Sequence, residues 1–411
     1  MSYDNDLENF YELIEGLQLQ GKLHNILDRF NTLFRDGKLV KLNLSDLGLQ
    51  KLPPVIGKFD KLFRLDLSGN QLTALSETIG KLEHLKRLDI SLNQITSLPD
   101  IFQKMEKLEF FNAQTNLLTT LPASFCALTN LKYLNIGGNQ LHTLPQDIGQ
   151  LQKLEKIDLR TNYLSELPAS LWDITSLQQL ILRSNKLKNL PAELTKLQNL
   201  NYLNLQKNFL VALPESIGEL RKLERLDLRY NQLTKLPEGI GKLTNLQRLE
   251  IRFNKLQNLP RSIGKLTNLQ ELGLYNNTIT ELPPTIGELQ SLQKLSLAKN
   301  QLKELPTEIG NIKTLIELNV DDNQLECLPS KLLELSNLKY LFVENNQLQF
   351  LPKEIHKLKN LQILAIRGNK LASLPETLEK IATLMRLEIS KQQLQLISKD
   401  IERQCILSIQ N

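Results

Sequence analysis

One spacing governs this chain. From Leu39 a 23-residue unit begins at positions 39, 62, 85, 108, 131, 154, 177, 200, 223, 246, 269, 292, 315, 338, 361 and 384, sixteen times without insertion or deletion. The cleanest copy is Leu223–Asn245, whose apolar skeleton is Leu223, Leu226, Leu228, Leu233, Leu236, Ile240 and Leu243. Fourteen units carry Asn at the ninth position and fourteen carry Pro at the fifteenth. A fixed period of this length marks a solenoid, in which each unit stacks only on its neighbours. The 411 residues therefore need not divide into separate globular cores.

The letters within the unit predict its local structure. In Leu226-Asp227-Leu228, alternate side chains point to opposite faces, so the leucines go inward and Asp227 faces solvent. The chain must then reverse, and Asn231 suits the bend because its amide both donates and accepts. Stacked from unit to unit, these asparagines are expected to make a hydrogen-bonded ladder. Pro237 presets φ and donates no hydrogen bond, consistent with leaving the strand. The following Ile-Gly-x-Leu predicts a short helical turn.

The pattern L-x-x-L-x-L-x-x-N-x-L resembles the leucine-rich repeat family over about nine-tenths of the chain. The L-P-x-x-I-G-x-L tail is similar to the subclass found in intracellular Ras-associated scaffolds and in many bacterial repeat proteins. The resemblance implies an α/β repeat solenoid, a horseshoe with a concave parallel β-sheet and short helical or irregular convex segments. It also implies a protein-binding scaffold, with a small GTPase or kinase-type signalling protein as one candidate partner. Delivery outside the cell, as an effector or adhesin, is the alternative role.

Both ends depart from the pattern. Residues 1–38 carry two apolar stripes at helical spacing, Leu7, Phe10, Tyr11, Ile14 and Leu17, then Leu23, Ile26, Leu27, Phe30, Leu33 and Phe34. They predict a helical N-terminal cap over the exposed edge of the first unit. The solenoid runs over 39–397 and 398–411 form a C-terminal capping tail; at this end of the chain Ile397, Ile401 and Leu407 are expected to cover the last layer. The last unit has Gln392 at the asparagine position and Ser398 in place of Pro.

Composition narrows the function. The charge is 50 basic against 45 acidic residues, without a run of like sign, which argues against a nucleic-acid-binding field. The first residues lack a basic and then apolar leader, and no apolar stretch is long enough to cross a membrane, so a cytoplasmic protein is expected. Cys126, Cys327 and Cys405 lie far apart and are expected to be reduced thiols. The four histidines are isolated, and no phosphate-cradling, zinc-protease or nucleophile-elbow motif occurs. No cofactor, metal or enzymatic activity is expected.

What varies from unit to unit is the solvent-facing set at the third, fifth, seventh and eighth positions. Arg64/Asp66 and Arg87/Asp89 suggest ion pairs without functional weight. Farther along, Arg160, Arg183, Arg229 and Arg252 share the seventh position, while Arg225 and Arg248 share the third. Tyr230, Phe253 and Tyr275 border this field and Tyr202 lies beside it, with Asp158, Asp227 and Glu250 offsetting part of its charge. Arg and Tyr are enriched where proteins bind proteins. A second candidate patch is acidic: Glu317, Asp321, Asp322 and Glu344, adjoined by Tyr340, Phe342 and Ile363. These two fields are the candidate partner-binding surface. Nucleic acid on the arginine stripe is the minor alternative.

Overall fold

The structure is a computed structural model that describes residues 6–19, 26–27 and 32–410. The chain divides into two compact units, Met1–Lys188 with Glu193–Leu203, and Asn189–Ala192 with Asn204–Asn411.

The first unit opens with helix α1 (Asp6–Gly16). Its buried stripe is Phe10, Leu13 and Ile14, whereas Leu7 and Tyr11 are exposed. The helix packs on β2 (Lys38–Asn43) and on the 3-10 turn Pro54–Lys58. Asp6, buried at its start, accepts a hydrogen bond from the Leu39 N–H at 2.7 Å. The second predicted helix does not extend as expected: Leu33 and Phe34 belong to a short strand, β1 (Leu33–Arg35), antiparallel to β2. An Asp36-Gly37 turn with positive φ at both residues joins β1 to β2, and such a turn favours a hairpin over a continuing helix. Phe34 meets Phe10 edge-on at 5.5 Å. Leu23 and Phe30 lie outside the described residues.

From β2 the strands run parallel at 23-residue steps: β3 (Arg64–Asp66), β4 (Arg87–Asp89), β5 (Phe110–Asn112), β6 (Tyr133–Asn135), β7 (Lys156–Asp158) and β8 (Gln179–Ile181). Each places a leucine or its substitute inward. Where aromatics replace the aliphatic residues of the repeat, Phe102, Phe111 and Phe125 pack mutually edge-on at 5.0–5.8 Å and remain fully buried.

β9 (Tyr202–Asn204) falls where the chain passes from the first unit to the second. The second unit continues with β10 (Arg225–Asp227), β11 (Arg248–Glu250), β12 (Glu271–Gly273), β13 (Lys294–Ser296), β14 (Glu317–Asn319), β15 (Tyr340–Phe342) and β16 (Ile363–Ala365). Register is kept throughout, with Leu226 opposite Leu249 and Leu249 opposite Leu272. β17 (Arg386–Ser390) is longer and pairs in parallel with β18 (Ile406–Gln410). The short helix α2 (Lys399–Gln404) joins them and buries Ile401, while Ile397 and Leu407 are half-buried.

Proline and glycine set the opposite side. Pro237 is extended, φ −72° and ψ 153°, and its carbonyl accepts the Ile240 N–H to start the 3-10 turn Glu238–Lys242. A Cβ on Gly241 would come within 2.5 Å of the Ser262 carbonyl of the next repeat, so this position brings neighbouring turns close together. Trp172 occupies the same position of its own repeat and is buried there.

The asparagine ladder forms, with a different wiring from the one expected. Asn231 does not bond another asparagine. Its Nδ2 donates to the carbonyls of Leu205 and Leu228, at 2.9 and 3.0 Å, and its Oδ1 accepts from the Leu210 N–H at 3.0 Å. Each amide thus ties its own bend to the backbone of the preceding repeat, and the pattern recurs at Asn254, Asn300 and Asn346. In the last repeat Gln393, rather than Gln392, supplies the amide. It is buried and donates to the Ile366 carbonyl at 3.0 Å.

The bend itself sits one residue earlier than the asparagine. The eighth position is left-handed in the first fifteen repeats, with φ between 52° and 67° in the residues that include Asp46, Leu92, Thr161, Tyr230, Phe253, Asn276 and Asn345. Its N–H donates to the seventh-position carbonyl of the next repeat, as Tyr230 does to Arg252 at 2.9 Å.

Candidate functional site

In the first unit, the expected seventh-position arginines behave differently from one another. Arg160 grips the buried Asp158 two residues before it, with Nε 2.9 Å from both carboxylate oxygens. Residues two apart on a strand share a face, so the pairing follows from the spacing. Arg183 is exposed and makes no ion pair among the described residues, and Tyr202 is half-buried on its strand. The expected Arg64–Asp66 and Arg87–Asp89 ion pairs are absent. Asp66 and Asp89 instead accept from the hydroxyls of Ser68 and Ser91 at 2.6 Å, a nearer donor that needs no long side chain to be ordered.

Arg87 has another partner. Its guanidinium lies 3.9 Å from the centre of the Phe110 ring, Phe110 stacks on Tyr133 at 4.5 Å and 6°, and Lys156 approaches Tyr133 at 5.4 Å. All four occupy the third position of successive repeats and are partners in register. The sequence reading missed this row, although aromatics at the solvent-facing position of adjacent units would have signalled it.

The second unit holds the remaining candidates. Arg229 is bound to Asp227 through Nε at 2.9 Å and Nη2 at 2.6 Å. Arg252 lies 2.9 Å from Glu250, and Arg248 pairs with Glu271 on the adjoining strand. Burial pushes the Glu250 carboxyl above its ordinary range, against the opposing pull of Arg252 and Arg229. The stripe read as basic is thus largely a row of local ion pairs. Arg225 is the exception among these candidates, exposed and without a carboxylate partner among the described residues.

The aromatic border is brought together. Tyr230 and Phe253 stack at 4.2 Å with ring planes 9° apart, and Phe253 meets Tyr275 edge-on at 5.2 Å. Lys207 lies 5.6 Å from the Tyr230 ring centre and Lys299 lies 5.5 Å from that of Tyr275. Tyr230 is 40% exposed despite this stacking.

The acidic field is less uniform than its letters suggest. Arg367, which the sequence reading overlooked, stands 3.3 Å from Glu344 and 2.8 Å from Glu388. Asp321 accepts the Glu344 N–H at 2.6 Å but has no ion pair among the described residues. Burial, reinforced by Glu344 and Asp322, pushes its carboxyl up to about 7. Glu317 lies opposite Tyr340 and Tyr340 opposite Ile363, while Phe342 faces Asn319 and Ala365.

Among the described residues no group of three or more His, Cys, Asp or Glu could hold a metal, and no helix is long and apolar enough to cross a membrane. The groove lined by Glu77, Lys81, Asp100 and Lys104 lies between neighbouring 3-10 turns, away from the sheet face.

Comparisons with known proteins agree on the repeat. A family model described as leucine-rich repeat region matches residues 119–201, 188–278 and 261–336, and a leucine rich repeat model matches 60–118, 84–141 and 313–371. Among solved structures, a repeat protein of Leptospira interrogans is 35% identical, covering 90% of this chain and 95% of that one, with a TM-score of 0.72. The plant peptide hormone receptor RGFR1, in complex with RGF2, is 27% identical over 88% of this chain and 68% of that one, with a TM-score of 0.71. YopM from Yersinia enterocolitica is 25% identical over 98% and 84%, with a TM-score of 0.68. A comparison with curated protein sequences returned no match.

Proposed function

The chain belongs to the leucine-rich repeat family, whose repeat regions act as protein-binding scaffolds and receptors, and from that premise we propose that it binds another protein through the exposed face of its second unit. One observation carries the reading. Tyr230 and Phe253 hold bulky side chains on left-handed backbone, at φ 56° and 58°, where a non-glycine residue is disfavoured by about 1–2 kcal/mol. The solenoid does not require them there, since Asp46, Thr161 and Lys299 fill the same position of other repeats. Two stacked, half-exposed aromatics, with the exposed Arg225 in the same repeat as Tyr230, match the side-chain types that dominate protein–protein contacts.

The role is that of an interaction module rather than an enzyme. RGFR1 is solved with RGF2, and that likeness supports a peptide or protein as the ligand class. The test is site-specific photo-crosslinking in lysate of the source cell, from position 253 on the face and from position 331 in the 3-10 turn Ser330–Glu334. A discrete adduct from 253 that is missing from 331 supports the reading. The same adducts from both positions, or none from 253, overturns it.

A further inference from the structure

The row bordering the second unit's face has a charge pattern that specifies more than a protein partner. Lys207, Tyr230, Phe253 and Lys299 occupy the eighth position of their repeats, and Tyr275, at the seventh, fills the gap before Lys299. Ring and ammonium contacts of 5.6, 4.2, 5.2 and 5.5 Å run along the row without a break.

Both end lysines are exposed, and among the described residues neither makes an ion pair. The carboxylates of the strands between them, Asp227, Glu250 and Glu271, are engaged by Arg229, Arg252 and Arg248, and the acid whose charge acts on Lys299 is Asp322. Arg225 adds a further exposed cation to this unit, with no ion pair among the described residues. One repeat beyond Lys299 the sign reverses at Asp322, which accepts from the Asn345 amide at 2.8 Å. The cationic row is therefore bounded.

We propose that this row binds an extended segment of another protein, acidic at both ends and apolar in its middle. The proposal rests on the protein-binding reading above. Lys207 and Lys299 are four repeats apart, which at about 4.8 Å per strand is about 19 Å. Extended chain rises about 3.3 Å per residue, so about six residues span the row. Carboxylates at the segment's ends meet the two lysines, and its central side chains pack on the exposed edges of Tyr230, Phe253 and Tyr275. The faces of Tyr230 and Phe253 toward each other are already taken, so the segment lies along the row rather than inserting between those rings.

The test uses the full chain and labelled peptides flanked by glycine and serine: Glu-Asp-Phe-Leu-Asp-Glu, its Gln/Asn analogue and its Lys analogue. The acidic peptide should bind at least about tenfold more tightly than the neutral one, with affinity falling as salt rises. The double variant Lys207→Glu/Lys299→Glu, far from the core, should lose about tenfold for the acidic peptide and gain for the Lys peptide. Tyr230→Ala/Phe253→Ala, checked for an unchanged unfolding transition, should weaken the acidic peptide without inverting the charge preference. Equal binding of acidic and neutral peptides, or indifference to the charge reversal, overturns the proposal. A crosslinked partner at position 253 together with no acidic-peptide binding overturns this inference alone and leaves the broader reading standing.

Discussion

The carboxylate of Glu250 occupies the space that a side chain on Gly273 would need. A Cβ there would also come within 2.8 Å of Arg252 Nε, so one glycine accommodates a whole ion pair on the sheet face. Gly137 does the same in the first unit, where a Cβ would come 2.8 Å from Arg160 Cγ.

The two glycine roles in this fold separate under substitution. Gly241→Ala pushes a methyl against the Ser262 carbonyl, which is backbone and cannot swing aside, and should cost about 1–3 kcal/mol. Gly273→Ala meets only the ends of two flexible side chains and should cost less than about 1 kcal/mol. Urea unfolding of both variants beside the parent checks the order, and a larger loss for Gly273→Ala would contradict it.

Removing one amide from the ladder should be felt in the repeat before it. Asn231→Leu leaves the Leu210 N–H without its partner and takes from the Leu205 carbonyl one of its two amide donors, Asn208 keeping the other, and should destabilise by about 1–3 kcal/mol. Hydrogen exchange locates the effect: the Leu210 amide should lose protection while its counterpart Leu302, bonded to Asn323, keeps it. Uniform loss along the chain would point to another cause.

Asp321 gives stability a pH dependence of known sign. Its carboxyl is raised to about 7 in the folded chain, from an ordinary value near 3.8, so the folded state holds the proton more tightly than the unfolded one. That contribution is complete below the unfolded value and is lost as pH rises toward 7, with a slope of at most about 1.4 kcal/mol per pH unit. Asp321→Asn, which can still accept from the Glu344 N–H, should gain stability over the parent between pH 4 and 8. Parallel curves for the two proteins across this window would rule the mechanism out.

The cysteines should differ in reactivity. Cys126 is buried, and burial pushes its thiol up to about 11, so little thiolate is available near neutral pH. Cys327 is exposed. Brief alkylation at pH 8 followed by mass spectrometry should label Cys327 and spare Cys126 until denaturant is added. Equal labelling in the folded protein would be inconsistent with this packing.

Periodicity encodes burial, and so the strands, the asparagine ladder and the proline-started turns could all be read from the letters. What a period does not encode is the choice among nearby partners. Asp89 takes a serine hydroxyl where Asp227, at the same position of its repeat, takes a guanidinium, because the seventh residue is Ser91 in one and Arg229 in the other. The two-residue step that joins Asp227 to Arg229 was visible in the sequence, whereas the reach of Arg367 to Glu388 on the next strand required coordinates. The ends were least legible for the same reason: once the repeat stops, Phe34 and Gln393 are placed by contacts particular to them.

The left-handed residue of each repeat is held by main-chain bonds, such as that from Tyr230 to Arg252, and by the amide that follows it. Its side chain takes no part in either. Geometry and identity are therefore assigned to adjacent letters: the ninth secures the bend, and the eighth is left open to become lysine, tyrosine, phenylalanine or aspartate. A scaffold built this way can exchange the vocabulary of its border, one repeat at a time, while its grammar stays the same.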